Sequence, residues 1–132
     1  MGECKMTAKD HLTKILNNAI ELDAIDTRFV NLSTNILVMF RREKIFSQQL
    51  YMTTKTYRKI LKYIKLKAVL TPFDLSGEFQ EGVLTIYTNE KVISCFVSIY
   101  NHRQFESLIL KIIKTDELGS SVFIIFCVML FS

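Results

Sequence analysis

Two stretches of this chain repeat their apolar residues at helical spacing, and the residues between and after them alternate at the spacing of strands. That order constrains the fold more than any other feature. From Ala8 to Leu22, the residues Leu12, Ile15, Leu16 and Ala19 recur at i, i+3, i+4 and i+7, with Lys14, Asn17 and Asn18 off the stripe. This pattern predicts an amphipathic helix with one buried face. Thr7 stands at the cap position and Asp10 comes three residues later, the spacing of a capping box. A second helix is predicted from Thr54 to Val69, with Tyr57, Ile60, Leu61, Ile64 and Ala68 as its buried stripe and Pro72 closing the region.

Between the helices, Arg28 to Asn31 and Asn35 to Arg42 read as strands, Glu43-Lys44 as a turn and Ile45 to Tyr51 as the returning strand. Ile36, Val38 and Phe40 share one face, and Leu37 and Met39 make the other apolar too, so both faces of this part are expected to be covered. Ser76-Gly77 marks a loop. Beyond it, Val83 to Thr88, Val92 to Tyr100 and Phe105 to Ile113 form three further strands, joined by Asn89-Glu90 and by the polar run Asn101 to Gln104. Strands linked by short turns pair antiparallel. The expected fold is therefore α+β, an antiparallel sheet of five or six strands with two main helices packed on one face. There is no internal repeat.

A length of 132 residues suits one domain. With 49% apolar and 23% charged residues, the chain is a folded protein rather than a disordered one. The net charge of +4 is unevenly placed: between Lys55 and Lys67 lie six basic residues and no acid. Lys55, Arg58, Lys59, Lys62 and Lys65 cover the outer face of the second helix and are the candidate interaction residues. Such a face grips an acidic protein surface or nucleic acid, or is merely solvated. Nucleic acid is disfavoured because no aromatic residue interleaves with the cations.

Chemistry-bearing constellations are sparse. Cys4, Cys95 and Cys127 are far apart and form no metal-binding or redox pair, which points to reduced thiols in a cytoplasmic chain. The start of the sequence, MGECKMTAKDHLTK, has no apolar signal core. His11 and His102 have no ligand spacing to any Cys or acid pair, so no metal site is expected. Asp26 and Glu106 read as a turn-fixing Asp and a strand-turn Glu rather than an acid–base pair. Ser98 near His102 lacks the context of a nucleophile elbow. Val122 to Phe131 is an unbroken run of ten apolar residues, too short against the roughly 20 that a spanning helix needs. Its composition breaks from that of the preceding residues. The expected division is a domain over 7–114 and a divergent apolar tail over 115–132, the latter read first as the product of a shifted frame, with a buried strand, a sticky partner-binding end or a membrane-touching segment as the alternatives.

Five pieces, in order, resemble the N-terminal domain of type II secretion/type IV pilus traffic ATPases. They are Ala19-Ile20-Glu21-Leu22-Asp23-Ala24-Ile25-Asp26-Thr27-Arg28, which keeps the family's Asp as Asp26 but has Ile25 and Arg28 where Ser and His are usual; Val38-Met39-Phe40-Arg41; Tyr63-Ile64-Lys65-Leu66-Lys67-Ala68-Val69-Leu70; Leu75-Ser76-Gly77-Glu78-Phe79; and Ser98 with Glu106 and Lys111-Ile112-Ile113. The resemblance spans about Leu12 to Lys114. Within the family it looks most like the Gram-positive competence ATPase, which powers the DNA-uptake pseudopilus in transformation. It implies a PAS-like fold. It also implies partners: an ATPase core, neighbouring subunits of a hexamer, and the inner-membrane platform protein that would bring a cytoplasmic domain without a span of its own to the membrane.

The departures from the family pattern are equally informative. The phosphate-binding loop G-x-x-x-x-G-K-[ST] and the catalytic acids are missing. The resemblance therefore implies a truncated accessory domain that is not an enzyme and holds no cofactor, since the family uses ATP and Mg at a core that is not here. Glu78 stands where Arg is usual, and an acid facing a phosphate repels it. Arg41 is the one nucleotide-contact candidate, and only with a core domain. The alternatives are a stand-alone PAS-like regulatory domain and a basic nucleic-acid-binding module.

Overall fold

Helix α1 (Ala8–Glu21) begins as its sequence dictates. The Asp10 backbone N–H donates to Thr7 Oγ1 at 3.1 Å and the Thr7 N–H donates to Asp10 Oδ2 at 3.0 Å, closing the capping box. Its buried side chains are Leu12, Ile15, Leu16 and Ala19, the four of the predicted stripe. The computed structural model describes residues 6–72, 79–102 and 105–113. After α1 come β1 (Asp26–Asn31), β2 (Ile36–Arg42), β3 (Ile45–Met52), α2 (Thr54–Lys67), β4 (Val69–Pro72), β5 (Phe79–Tyr87), β6 (Val92–His102) and β7 (Phe105–Ile112). The fold is α+β, with one fully antiparallel sheet in the order β3-β2-β1-β7-β6-β5-β4.

The sheet has seven strands rather than the expected five or six. The added strand is β4. Helix α2 was expected to reach Val69 but stops at Lys67, because Ala68 swings to φ −80°, ψ 148° and sends Val69–Pro72 alongside β5. Gly82 makes that approach possible: a Cβ there would sit 1.9 Å from the Val69 carbonyl oxygen. β5 also begins at Phe79, four residues before its expected start.

The ladder registers sort the sheet into two faces. Thr27, Phe29, Ile36, Val38, Phe40, Leu84, Ile86, Cys95, Val97, Ile99, Leu108 and Leu110 lie on one face, and all are buried. Apart from Thr27, they form a single apolar core with the stripes of α1 and of α2, where Tyr57, Ile60, Leu61 and Ile64 are buried. Burying each such side chain stabilises the fold by about 1.5–3 kcal/mol. Phe29 stacks on Tyr57 at 5.7 Å and so ties the centre of the sheet to α2. Cys95 is buried here as a free thiol, and burial pushes its pKa up to about 12, which makes it inert.

The other face received neither helix. It carries Asp26, Arg28 and Val30 from β1, Leu37, Met39 and Arg41 from β2, and Phe96 and Tyr100 from β6. The expectation that both faces are covered holds in part: Leu37 is buried and Met39 half-buried, while Phe46, Tyr51 and Tyr100 are exposed. The Glu43-Lys44 turn closes a two-residue hairpin with Glu43 at φ 54°, the left-handed geometry that twisted hairpins require.

Candidate functional site

The outer face of α2 is basic, with no acidic side chain contributed by the helix. At about 100° per residue, Lys55, Arg58, Lys59, Lys62 and Leu66 fall within an arc of about 100°, opposite the buried Tyr57, Ile60, Leu61 and Ile64. The four cations are exposed, and none makes an ion pair among the described residues. Leu66 stands out from their midst at 72% exposure, an apolar side chain that the fold does not use. The helix contributes no acid to this surface, so nothing on α2 offsets its charge.

Lys65 behaves differently. It lies at the edge of the arc, and its Nζ meets Glu106 Oε2 at 2.5 Å. Beside it, the Tyr57 hydroxyl donates to the Glu106 carbonyl oxygen at 2.5 Å. Burial, and secondarily the Glu106 carboxylate, hold the Tyr57 phenol above its ordinary pKa of 10. These two bonds clamp α2 to the start of β7 and fix how the basic face is presented. Between them, Arg58, Leu61, Lys62, Lys65, Leu66 and Glu106 line a shallow cleft of about 310 Å³ at the α2–β7 junction. Cationic donors around an apolar floor suit carboxylates carried on a surface with its own apolar projection.

Arg41 is placed elsewhere. Its Nε and Nη2 both lie 2.7 Å from Asp26 Oδ2, and its Nη1 donates to the Glu43 carbonyl at 2.9 Å. Arg28 Nε approaches Asp26 Oδ1 at 3.4 Å, and its guanidinium rests 5.0 Å over the Phe46 ring. Asp26, 4% exposed, thus serves two arginines and joins β1 to β2. This cluster lies on the sheet face away from the helices, so the structure separates Arg41 from the basic helix residues.

Asp26 and Glu106 also fall on opposite faces of the sheet, so they form no carboxylate pair. Asp26 stands at the start of β1 and pairs with Arg28 and Arg41, and Glu106 stands near the start of β7 and pairs with Lys65. Among the described residues, no group of three His, Cys, Asp or Glu could hold a metal ion, and no helix is long and apolar enough to cross a membrane. Residues 73–78, which include Glu78 and the expected Ser76-Gly77 loop, the cysteines Cys4 and Cys127, and residues 115–132 lie outside the described residues.

Sequence reasoning found the cations but missed Leu66 and the Lys65–Glu106 pair. Leu66 carried a signal, since it falls off the Tyr57–Ile60–Leu61–Ile64 stripe. Glu106, 41 residues from Lys65, carried none. No protein-family model matches this chain, and no curated protein matches it.

Proposed function

We propose that this chain is a non-catalytic interaction domain that docks an acidic, partly apolar protein surface through the outer face of α2. The observation that carries this reading is the set of four cations, none ion-paired among the described residues, around the exposed Leu66, held in place by the Tyr57 and Lys65 bonds to Glu106. A single exposed ion pair contributes only about 0–1 kcal/mol. Binding through this face therefore needs several pairs and the burial of Leu66 together.

The resemblance to traffic-ATPase N-terminal domains supports a partner of that family: an ATPase core, a neighbouring subunit or the inner-membrane platform protein, at work in DNA uptake or secretion. In this reading the chain hydrolyses nothing by itself. Arg41, already committed to Asp26 and the Glu43 carbonyl, is a brace of the β1–β2 ladder.

The test is sedimentation of the purified chain with the isolated ATPase core of a competence traffic ATPase, with ATP and with duplex DNA as separate probes. A complex with the core that weakens as salt rises, and is lost in Lys59→Glu/Lys62→Glu, is the expected result. Binding to DNA alone with the same charge-reversal loss would move the assignment to nucleic acid. A stoichiometric nucleotide signal from the chain alone would overturn the non-catalytic reading.

A further inference from the structure

The two edges of the sheet are built differently. β4, at one edge, is 4 residues long and ends in Pro72, which has no N–H to offer a neighbour. β3, at the other edge, is 8 residues long, and Ile45-Phe46-Ser47-Gln48-Gln49-Leu50-Tyr51-Met52 contains no charge and no proline. Sheets are blunted at their edges by short strands, proline and lysine. β4 has the first two of these and β3 has none. Along the outer side of β3, backbone N–H and C=O groups meet no strand among the described residues. Ile45 is 72% exposed, Tyr51 57% and Phe46 45%, so the edge also carries large apolar and aromatic side chains.

β3 has an internal symmetry as well. Gln49 is bulged: it has no partner in β2 and lies between the Gln48–Met39 and Leu50–Val38 pairs. A bulge resets the alternation of side chains along a strand. Before it, Ile45 and Ser47 lie on the helix side, and Phe46 and Gln48 on the open side; after it, Leu50 and Met52 lie on the helix side, and Tyr51 on the open side. From either end, the strand begins helix side, open side, helix side. Gln49 joins Ser47 and Ile45 on the helix side, lining one cleft with Phe40, and its Nε2 donates to Ser47 Oγ at 2.8 Å.

We propose that β3 pairs antiparallel with β3 of a second copy of this chain, about a two-fold axis beside Gln48 and Gln49, so that two sheets join into one. In that register Ile45 stands opposite Met52 of the second copy, Phe46 opposite its Tyr51 and Ser47 opposite its Leu50, and each pair shares one side of the sheet. Without the bulge, Ile45 and Met52 would fall on opposite sides and this register could not form. Gln48 meets its own counterpart across the axis on the open side, and Gln49 its own on the helix side. The strand thus matches itself along its whole length, with no charge to repel its copy, and that self-match is what assigns the edge to a second copy. The seam is about 26 Å long. An interface of that size suits a weak, exchanging dimer. It uses none of the cations of α2, so it stands apart from the docking surface proposed above.

Sedimentation equilibrium of the purified full chain between about 1 and 500 µM should show the mass rising from one chain towards two. Hydrogen exchange at both ends of that range should show the β3 amides slowing as concentration rises, while those of β4 do not change. Gln48→Lys, at an exposed position, sets two like charges beside the axis and should raise the dimer dissociation constant by about tenfold or more; Gln48→Glu should do the same. An equimolar mixture of the two variants should recover most of the loss, because each mixed dimer then has one charge of each sign at the axis. A chain that stays monomeric throughout overturns the proposal. So does association that leaves the β3 amides unchanged or is indifferent to both substitutions, and so does a mixture that recovers nothing, which removes the two-fold register. Protection of β3 that is equal at both concentrations would make another part of the same chain the occupant, and overturns it too.

Discussion

Helices α1 and α2 have the same length, 14 residues each, and each buries four side chains in one shared core. Their outer faces differ. α1 mixes Lys9, Asp10 and Lys14 with asparagines, and ends without a basic residue in its last turn; α2 bears no acid and places Lys65 and Lys67 in its last turn. Cations near a helix C-terminus interact favourably with the macrodipole, which accounts for Lys65 and Lys67 but not for Lys55, Arg58 and Lys59. Those three repel one another at i, i+3 and i+4 spacing with no acid to relieve them. Two helices with one structural task thus separate what burial demands from what it leaves open. The surplus charge on α2 has no structural use within the described residues, which is why a binding surface is proposed there and not on α1.

The strongest way to break the comparison is to remove matching core residues. Leu16 and Ile64 are each 0% exposed, one from each helix. Leu16→Ala and Ile64→Ala should each destabilise the domain by about 2–5 kcal/mol in denaturant unfolding. A loss below about 1 kcal/mol at Ile64 alone would make α2 an appendage and undo the claim that the two helices share one task. The charge reversals Lys59→Glu and Lys62→Glu should stay within about 0.5 kcal/mol of the parent, since neither residue makes an ion pair among the described residues.

A smaller effect sharpens the point that α2 is clamped where α1 is not. Tyr57→Phe removes the donor to the Glu106 carbonyl and should cost about 0.5–1.5 kcal/mol. It should also change the alkaline limb of stability. The folded Tyr57 phenol has its pKa raised above 10, so its contribution is complete below pH 10 and is lost as pH rises from there through the folded value. The parent should lose stability above pH 10, and Tyr57→Phe should lose less. Tyr63, also raised by burial but less enclosed, leaves a residual slope in both proteins. Unfolding midpoints from about pH 8 to 11 for the pair decide it; parallel curves would mean that Tyr57 ionises without penalty.

Both helices were legible in the sequence because burial writes itself at a period of 3.6 residues: Leu12, Ile15, Leu16 and Ala19, and Tyr57, Ile60, Leu61 and Ile64, are where the stripes place them. The hairpins were legible because Glu43-Lys44 and Asn89-Glu90 interrupt alternating runs. β4 was not legible. Val69 and Leu70 continue the apolar pattern of α2, and only Gly82, set inside a strand thirteen residues away, signalled that another backbone passes close by. The pairing of Lys65 with Glu106 had no local signal, because it is fixed by where β7 enters the sheet. Asp26 was visible as an acid, and Arg28 stands two residues on along the same strand, but Arg41 became its partner only through the β1–β2 register. Periodicity reports which side of an element is buried and says nothing of what the free side meets, so the cations of α2 could be found and their use could not.

The finest distinction between the helices lies at their caps. Thr53 Oγ1 accepts the Thr56 N–H at 3.1 Å and donates to Thr56 Oγ1 at 3.0 Å, a cap without a carboxylate; Thr7 and Asp10 each accept from the other's backbone. Thr53→Ala should cost about 1 kcal/mol at any pH between about 3 and 8, because no ionising group takes part. Thr7→Ala should cost more than that at neutral pH, since it removes the Thr7 hydroxyl and loosens the reciprocal bond to Asp10. The backbone hydrogen bond from Thr7, and then that from its hydroxyl, hold the Asp10 carboxyl below its ordinary 3.8. A lowered folded pKa contributes stability that is present above 3.8 and lost as pH falls through the folded value. The excess cost of Thr7→Ala over Thr53→Ala should therefore shrink below pH 3.8 and disappear once Asp10 is protonated. An excess that persists with Asp10 fully protonated would show that the difference between the caps is one of packing at the start of α1, and not of the carboxylate that closes the box.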